Sequence, residues 1–198
     1  MRINCLGFAR VIDRDGKYCL LLNRGRLKYN GQRLLSPIGG SLRHKSAGKA
    51  ALERLGAFGF AQSGDLIFRI PAHKVPAVYR WYRTRAGRET SVIREAREEL
   101  IDETRALTDN DFWDAEAQVI RHGRFDAETL REDAPERQTA YLIELSVMRF
   151  DGGAMDGLHR AARLPVADRQ VFFVSKDEIM AGVTHDGVQI GPITRKIL

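Results

Sequence analysis

The chain has 198 residues, of which 43% are hydrophobic and 29% are charged, and its formal net charge is +6. A chain of this size forms one domain (residues 1–198) and can bury about 70% of its unfolded surface. The composition is typical of a water-soluble globular protein. Because there is neither a run of about 18 apolar residues nor a signal-peptide core, we expect no membrane contact and a cytoplasmic location.

The positive charge comes mainly from arginine and suits an anionic ligand such as a polyphosphate. It would also suit weak contact with nucleic acid. However, no helix-turn-helix, zinc-finger or ribonucleoprotein signature is present, which disfavours nucleic-acid recognition as the main role. Cys5 and Cys19 lie in strand-like segments without metal-ligand spacing, so buried thiols are expected rather than a disulfide.

The N-terminal segment predicts a β-hairpin. Residues 3–12 and 18–23 have strand-like apolar patterns, and the polar residues 13–17 between them form a strong turn signal. Residues 24–31 follow as a basic loop. Its arginines Arg24 and Arg26 are candidates for contact with a phosphate or a base, and a solvated turn is the alternative.

The next segment, residues 34–42, is an apolar run interrupted by Pro-x-Gly-Gly. This pattern predicts a strand that leaves a sheet through a tight turn with exposed backbone. The adjacent glycines Gly39 and Gly40 would let main-chain groups approach a metal or a phosphate without an intervening side chain.

Residues 46–55 predict a short amphipathic helix, residues 66–70 a strand, and residues 75–85 a second helix. The second helix carries Tyr79 and Trp81 among arginines, a mixture that could stack on a base and hold phosphate. The alternative is that these aromatic side chains form the apolar face of a helix that covers the core.

The segment around residues 94–100 is the most informative one in the chain. Glu95, Glu98 and Glu99 stand at i, i+3 and i+4, so a helix stacks their carboxylates on one face, while Ala96 and Leu100 point towards a core. A divalent cation would offset the repulsion between the carboxylates, and carboxylate oxygens are the ligands that Mg²⁺ and Mn²⁺ prefer. The alternative is a solvated helix face.

The C-terminal part continues the alternation of strands and helices that is typical of an α+β fold. Residues 126–138 are expected to form a polar loop, which contains Glu132 and Glu136. We expect strands at residues 117–125, 139–150 and 169–174, a flexible loop at 151–157, and a capping box at 175–178 that starts a short helix.

Taken together, the Gly-Gly segment and the Arg-Glu-x-x-Glu-Glu helix resemble the Nudix hydrolase superfamily. The signature of that family is Gly, five residues, Glu, seven residues, and then Arg-Glu-apolar-x-Glu-Glu-x-Gly-apolar. Gly40 matches the opening glycine, and the helix core matches at Arg94, Glu95, Ala96, Glu98 and Glu99.

The chain departs from this signature at three points. Approximately residues 43–86 are inserted inside it; Ala86 stands where the internal Glu is expected, with Glu89 as a substitute; and Ile101 replaces the glycine that ends the helix. The helix would then run on and add Asp102 to its acidic face. The inserted arrangement also resembles the SMODS-associated Nudix group, which is linked to bacterial nucleotide-second-messenger defence, so the resemblance implies a role in antiphage defence.

The resemblance implies an α/β/α sandwich with a mixed β-sheet, and a metal-dependent hydrolase that cleaves the pyrophosphate of a nucleoside diphosphate-linked substrate. Mg²⁺ or Mn²⁺ would be held by Glu98 and Glu99 with the backbone carbonyl of Gly40. Glu95 would be a third ligand or the general base, and Arg94 would pair with Glu89 or Glu98 and orient the carboxylates. The resemblance also implies a further carboxylate near the metal from a later loop, for which Glu132 and Glu136 are the candidates; the alternative is that both are solvated. Since many relatives are dimers, a homodimer is also implied.

Two other functions stay open at this point. The altered signature is compatible with a Nudix-fold sensor that binds a nucleotide or an ADP-ribose-like signal without turning it over. The other alternative is an interaction module that has no nucleotide ligand.

Overall fold

The computed structural model describes residues 1–112, 115–128 and 138–198. The chain divides into two compact units. Unit 1 is drawn from Met1–Gly7, Gly40–Val92 and Val119–Leu145, and unit 2 from Phe8–Gly39, Ile93–Gln118 and Ser146–Leu198. The segment inserted into the signature therefore belongs to unit 1 and the glutamate-rich helix to unit 2. The candidate residues Glu132 and Glu136 lie outside the described residues.

The described residues combine strands with short helices. The strands are β1 (Arg2–Arg10), β2 (Tyr18–Leu22), β3 (Leu34–Ser41), β4 (Ile67–Arg69), β5 (Glu116–Glu128), β6 (Gln138–Arg149), β7 (Val171–Val174) and β8 (Gln189–Ile190). The α-helices are α1 (Arg24–Asn30), α2 (Ser46–Arg54), α3 (Val75–Thr84), α4 (Ile93–Arg97), α5 (Gly152–Ala162) and α6 (Lys176–Ala181). A π-helix, Glu98–Glu103, continues α4, and 3₁₀ turns cover Ala72–Lys74, Asn110–Phe112 and Pro192–Ile197.

The sheet is mixed, which confirms the predicted α+β class. In unit 2, β2 lies between β3 and β7 and is antiparallel to both, with Leu20 opposite Pro37 on one side and Phe172 on the other. The short strand β8 runs parallel to β3. In unit 1, β4 pairs antiparallel with β1, whose other neighbours include β6.

The prediction of an N-terminal hairpin is confirmed for its turn and wrong for the pairing of its two strands. The turn forms, because Asp13 Oδ1 accepts the backbone N–H groups of Asp15 and Lys17, and Ile12 bridges to Tyr18. Beyond that bridge the two strands separate, and β3 takes the place between β1 and β2. A turn signal fixes the local reversal of the chain but leaves open which strand fills the next place in the sheet.

Two segments expected to be loops are helices. Helix α1 begins after Asn23, whose side chain accepts the N–H of Arg26, and ends at Gly31 in the left-handed conformation (φ 70°). Helix α5 begins after Asp151, whose carboxylate accepts the N–H of Ala154. Asn and Asp are favoured N-caps, and Gly is favoured after the last turn, so the capping residues carried a helix signal that the basic and glycine-rich compositions obscured.

The expected tight turn at the glycine pair is also wrong, because β3 extends through Gly39 and Gly40 to Ser41. Gly39 has a φ of 121°, a backbone conformation that side-chain-bearing residues rarely adopt. A glycine is therefore required at residue 39, because β3 continues through a backbone conformation that strains a residue with a side chain.

The inserted segment matches its predicted elements: α2 is followed by Gly56, β4 ends before Pro71, and α3 covers most of 75–85. Helix α3 buries Val78 and Tyr82 in the core of unit 1. Tyr79 and Trp81 pack against the same core, as in the alternative in which the helix covers it.

Unit 1 also contains a buried ion pair. Arg88 is 0% exposed and Glu144 1%, and Arg88 Nη2 lies 2.6 Å from Glu144 Oε2. Arg88 also donates to the carbonyl of Tyr82 and lies over its ring, and His122 Nε2 lies 3.2 Å from the same carboxylate oxygen. Burial of a charged pair is tolerated only when partners satisfy its remaining polar atoms, and these contacts join α3 to β6 and β5.

Cys5 and Cys19 are free and buried, which confirms the expectation of buried thiols. Burial raises the pKa of both thiols well above the usual value. Both therefore pack as small apolar side chains.

The capping box of α6 is present as predicted. Ser175 Oγ accepts the N–H of Glu178, and the Glu178 carboxylate accepts the N–H groups of Ser175 and His185. Burial by itself would raise the pKa of Glu178, but these hydrogen bonds outweigh it and lower the pKa to about 2.

Replacing Glu178 with Gln should lower the stability at pH 7 by about 1 kcal/mol, since the charged acceptor is lost. Because the folded-state pKa lies below the unfolded one, the stabilisation is present above about pH 4.5 and is lost as pH falls towards 2. Thermal melts over pH 2–7 should therefore show the two proteins converging in acid. The matched control, Asp177→Asn, removes a charge from the same turn and should show a much smaller effect; equal losses in both variants would contradict this interpretation.

Candidate metal and phosphate site on the glutamate-rich helix

The glutamate-rich segment folds as α4 followed directly by the π-helix. Ala96 and Leu100 are fully buried, which confirms the predicted apolar face. The wider turn is visible in the hydrogen bond of 2.9 Å from Thr104 N to the carbonyl of Glu99, five residues earlier. Arg105 then adopts a positive φ of 53°. The helix therefore ends without the glycine that Ile101 replaces, through a π turn followed by a left-handed residue.

Arg94 lies against two of the three predicted carboxylates. Its Nη2 is 2.7 Å from Glu95 Oε1, and its Nη1 is 3.0 Å from Glu98 Oε2. The predicted pairing of Arg94 with Glu98 is thus present. Glu89, the other predicted partner, belongs to unit 1, where its Oε2 accepts the N–H of Arg43.

Glu99 is anchored to strand β3. Its Oε2 accepts the backbone N–H of Gly39 at 2.6 Å, a short hydrogen bond. The positive φ of Gly39 accompanies this contact at the glycine pair. The resemblance implies a role for the Gly40 carbonyl instead. Gly40 belongs to unit 1, and its role as a metal ligand stays a prediction.

The surroundings of Glu99 disfavour its negative charge. Burial is the largest influence and raises the pKa of Glu99; the Gly39 hydrogen bond opposes this, and the charges of Glu95, Glu103 and Glu98 add to it, so that the pKa reaches about 8. The sequence pattern places Asp102 on the acidic face, at i+7 from Glu95, whereas the fourth carboxyl group that acts on Glu99 is Glu103, at i+4 from it. Four carboxyl groups thus influence one another along one helix.

The basic segment before β3 touches this helix as well. Arg24 Nη1 donates to the carbonyl of Glu103, at the last residue of the π-helix, with a distance of 2.5 Å. Arg26 contributes its backbone N–H to the Asn23 cap. Arg24 therefore stabilises the end of the carboxylate-bearing helix by bonding a carbonyl that has no partner within the helix.

A family model described as the SMODS-associated NUDIX domain matches residues 1–198, the whole chain. This chain belongs to the SMODS-associated NUDIX domain family. Neither the curated proteins nor the solved structures contain a match to it. In the described residues, every helix is too short or too polar to cross a membrane.

Membership in this family connects the glutamate-rich helix with the Nudix signature. In this SMODS-associated NUDIX domain, the family-signature positions Arg94, Glu95, Glu98 and Glu99 lie on α4 and the first residues of the π-helix. The adjoining Gly39 supplies the contact with β3. The residues that the signature places elsewhere, Ala86 and Glu89, are in unit 1.

The donor chemistry of the NUDIX helix fits a hard divalent cation. Carboxylate oxygens are the preferred ligands of Mg²⁺ and Mn²⁺, and Glu99 lies where burial and neighbouring negative charges oppose its ionisation. No set of three or more acidic, His or Cys side chains converges on one point among the described residues. Mg²⁺ does not need such a set, since it commonly uses one or two protein carboxylates together with water and substrate phosphates.

The substitution Glu99→Gln should stabilise the metal-free protein at alkaline pH. Gln keeps an oxygen that accepts the Gly39 N–H but carries no charge. Because the folded-state pKa (about 8) lies above the unfolded value (4.5), the wild type loses stability as pH rises between these values and the variant does not. In EDTA at pH 9 we expect the variant to exceed the wild type by an unfolding free energy on the order of 1 kcal/mol or more, and to match it more closely at pH 5.

The measurement is chemical denaturation at pH 5, 7 and 9. Glu116→Gln, an exposed carboxylate of the same unit, serves as the control and should show no such trend. A Glu99→Gln variant that becomes less stable than the wild type as pH rises would refute the raised pKa.

Proposed function

We propose that this SMODS-associated NUDIX domain is a divalent-metal-dependent hydrolase that cleaves the pyrophosphate bond of a nucleoside diphosphate-linked substrate. The observation that carries the proposal is the Glu99 carboxylate, which is held by the Gly39 amide on the helix that carries the family signature. Mg²⁺ or Mn²⁺ is the proposed cofactor. We further propose that residues 1–198 act as one functional domain, as a cytoplasmic homodimer.

Glu98 and Glu99 are the proposed metal ligands. A divalent cation bound there would neutralise phosphate oxygens and lower the pKa of a coordinated water. The protein contributes the orientation of the ligands: the Gly39 N–H fixes Glu99 Oε2 and leaves the other carboxylate oxygen for a different partner. Glu95, which is one helical turn before Glu99, is proposed as a third ligand or as the general base that takes the proton of the attacking water.

Arg94 is proposed to position the carboxylates. Its guanidinium contacts both Glu95 and Glu98, so it limits the rotamers that these side chains can adopt. Arg24 is proposed to act one step further away, through the carbonyl of Glu103 at the end of the helix. Contact of Arg24, Arg26, Tyr79 or Trp81 with the substrate also remains a proposal. The packing of Tyr79 and Trp81 favours a role in the core for these two residues.

A second candidate function is a sensor that binds a nucleotide or an ADP-ribose-like signal without hydrolysing it. The observation that favours it is the ion pairing of Arg94 with Glu95 and Glu98, which supplies a positive charge to the same carboxylates that a metal would use. Ala86 and Ile101, at positions where the family signature has Glu and Gly, also favour it.

The deciding experiment is a hydrolysis screen with Mg²⁺ or Mn²⁺. The substrates are nucleoside di- and triphosphates, dinucleoside polyphosphates, ADP-ribose and cyclic dinucleotides, and the proteins are the wild type, Glu98→Gln and Glu99→Gln. We expect turnover by the wild type that falls at least about 100-fold in each variant, because each removes a charged ligand. Asp102→Asn, an exposed acid on the same helix, is the matched control and should retain activity.

The outcomes separate the candidates. Turnover that survives both substitutions would sink the hydrolase proposal as assigned to this helix. No turnover, combined with nucleotide binding that persists in EDTA, would establish the sensor. No turnover and no thermal shift with any nucleotide would leave the interaction module, the third function compatible with the sequence.

A further inference from the structure

A cavity of about 230 Å³ lies in unit 2. None of its lining residues belongs to the glutamate-rich helix. Its walls come from the turn at residues 13–17, the C-terminal half of α5, strand β7 and residues 184–186. The ring of His159 stacks on Phe173 with a centroid distance of 4.3 Å and forms part of the wall. The proposed hydrolase function makes no use of this cavity.

Two of the three carboxylates in the cavity wall are already engaged by the protein. Asp13 is 3% exposed; its Oδ1 accepts two backbone N–H groups of the turn, and its Oδ2 lies 3.8 Å from His159 Nε2. Asp186 pairs with Arg169 at 2.8 Å and lies 3.3 Å from His185 Nε2. These acids therefore hold the wall together and are not the groups that select a ligand.

Two cationic side chains of the wall are not used in this way. Lys17, at the end of the turn, and Arg163, directly after α5, both line the cavity and are exposed. Within the described parts of the chain, neither side chain has an ion-pair or hydrogen-bond partner. Both an ammonium and a guanidinium are able to bind a phosphate group, and the guanidinium can do so through two N–H donors.

The third carboxylate, Asp15, adds a second kind of selectivity. Its side chain lines the same cavity and is exposed, and only its backbone N–H is used by the turn. A carboxylate next to a phosphate would repel a ligand that is purely anionic. It accepts hydrogen bonds from hydroxyl groups, however, as acidic residues do with the ribose of nucleotides.

We propose that this cavity is a second ligand site, which binds a sugar phosphate with its phosphate on Lys17 and Arg163 and its hydroxyl groups on Asp15. A volume of about 230 Å³ is small compared with pockets for drug-sized ligands, which favours a ligand of this class over a whole dinucleotide. The site is independent of the proposed hydrolysis, since it uses neither the helix carboxylates nor a metal.

The test is calorimetric titration of the full chain with ribose 5-phosphate in EDTA, so that metal-dependent binding at the helix does not contribute. Inorganic phosphate, ribose and 2-deoxyribose 5-phosphate are titrated in parallel. We expect ribose 5-phosphate to bind with a Kd in the sub-millimolar range, inorganic phosphate and the deoxy sugar more weakly, and ribose without measurable heat. Lys17→Gln and Arg163→Gln should each weaken binding about tenfold or more.

Two further variants sharpen the result. Asp15→Asn should reduce the preference for ribose 5-phosphate over inorganic phosphate, because the variant loses the charged carboxylate that accepts hydrogen bonds from the sugar hydroxyl groups. Lys176→Gln removes an exposed lysine of the same unit that does not line the cavity, and it should bind as the wild type does. All four substituted side chains are exposed, and an unchanged melting temperature will verify that each variant is folded.

The proposal is overturned if ribose 5-phosphate gives no binding at millimolar concentration, or if Lys17→Gln and Arg163→Gln bind it as the wild type does. Equal affinity for phosphate and ribose 5-phosphate would overturn the assignment of the sugar. Because the hydrolysis screen is a separate measurement that requires metal, a negative result here leaves the hydrolase proposal standing, and the reverse also holds.

Discussion

The hydrogen bond between the Gly39 amide and Glu99 is the interaction on which the candidate site depends. A carboxylate placed among other carboxylates and partly removed from water is costly, and a backbone N–H is one of the few groups that can hold it without adding a charge of its own. The contact also fixes how the helix meets β3, since a donor at Gly39 and an acceptor at Glu99 must lie within 2.6 Å. The positive φ of Gly39 explains why the residue that donates this hydrogen bond is a glycine.

The charged residues around this hydrogen bond have opposing effects on the ionisation of Glu99. Glu95, Glu98 and Glu103 raise the free energy of an ionised Glu99, whereas Arg94 reduces the charge of two of its neighbours. Such a balance is the physical basis of the proposed cation site at these carboxylates. Arg24 acts outside this balance, because its partner is a carbonyl at the end of the helix and not a carboxylate.

The inserted segment contacts a buried ion pair whose two residues lie outside it. Arg88 and Glu144 are both buried, and their contacts with Tyr82 and His122 satisfy the polar atoms that burial would otherwise leave unpaired. This network joins the last helix of the inserted segment to strands that come much later in the chain. The long interruption of the signature is therefore accommodated by a packed unit, and the signature helix itself keeps its apolar face and its glutamates.

By itself, the sequence determined the features that arise from local spacing. The i, i+3 and i+4 glutamates, the amphipathic helices of the insertion, the Ser175–Glu178 capping box and the buried cysteines all depend on neighbours a few residues away, so their patterns could be interpreted directly. The capping signals at Asn23 and Asp151 were equally local and were obscured by composition.

Only the tertiary structure decided which distant groups meet. The Gly39–Glu99 bond joins residues 60 apart, and the placement of β3 between β1 and β2 follows from strand pairing, which no local pattern encodes. The π turn, with its hydrogen bond from Thr104 N to the carbonyl of Glu99, is a feature of this helix that helical periodicity does not predict. The cavity at Lys17 and Arg163 is likewise assembled from segments separated along the chain, so its chemistry became visible only when the fold brought them together.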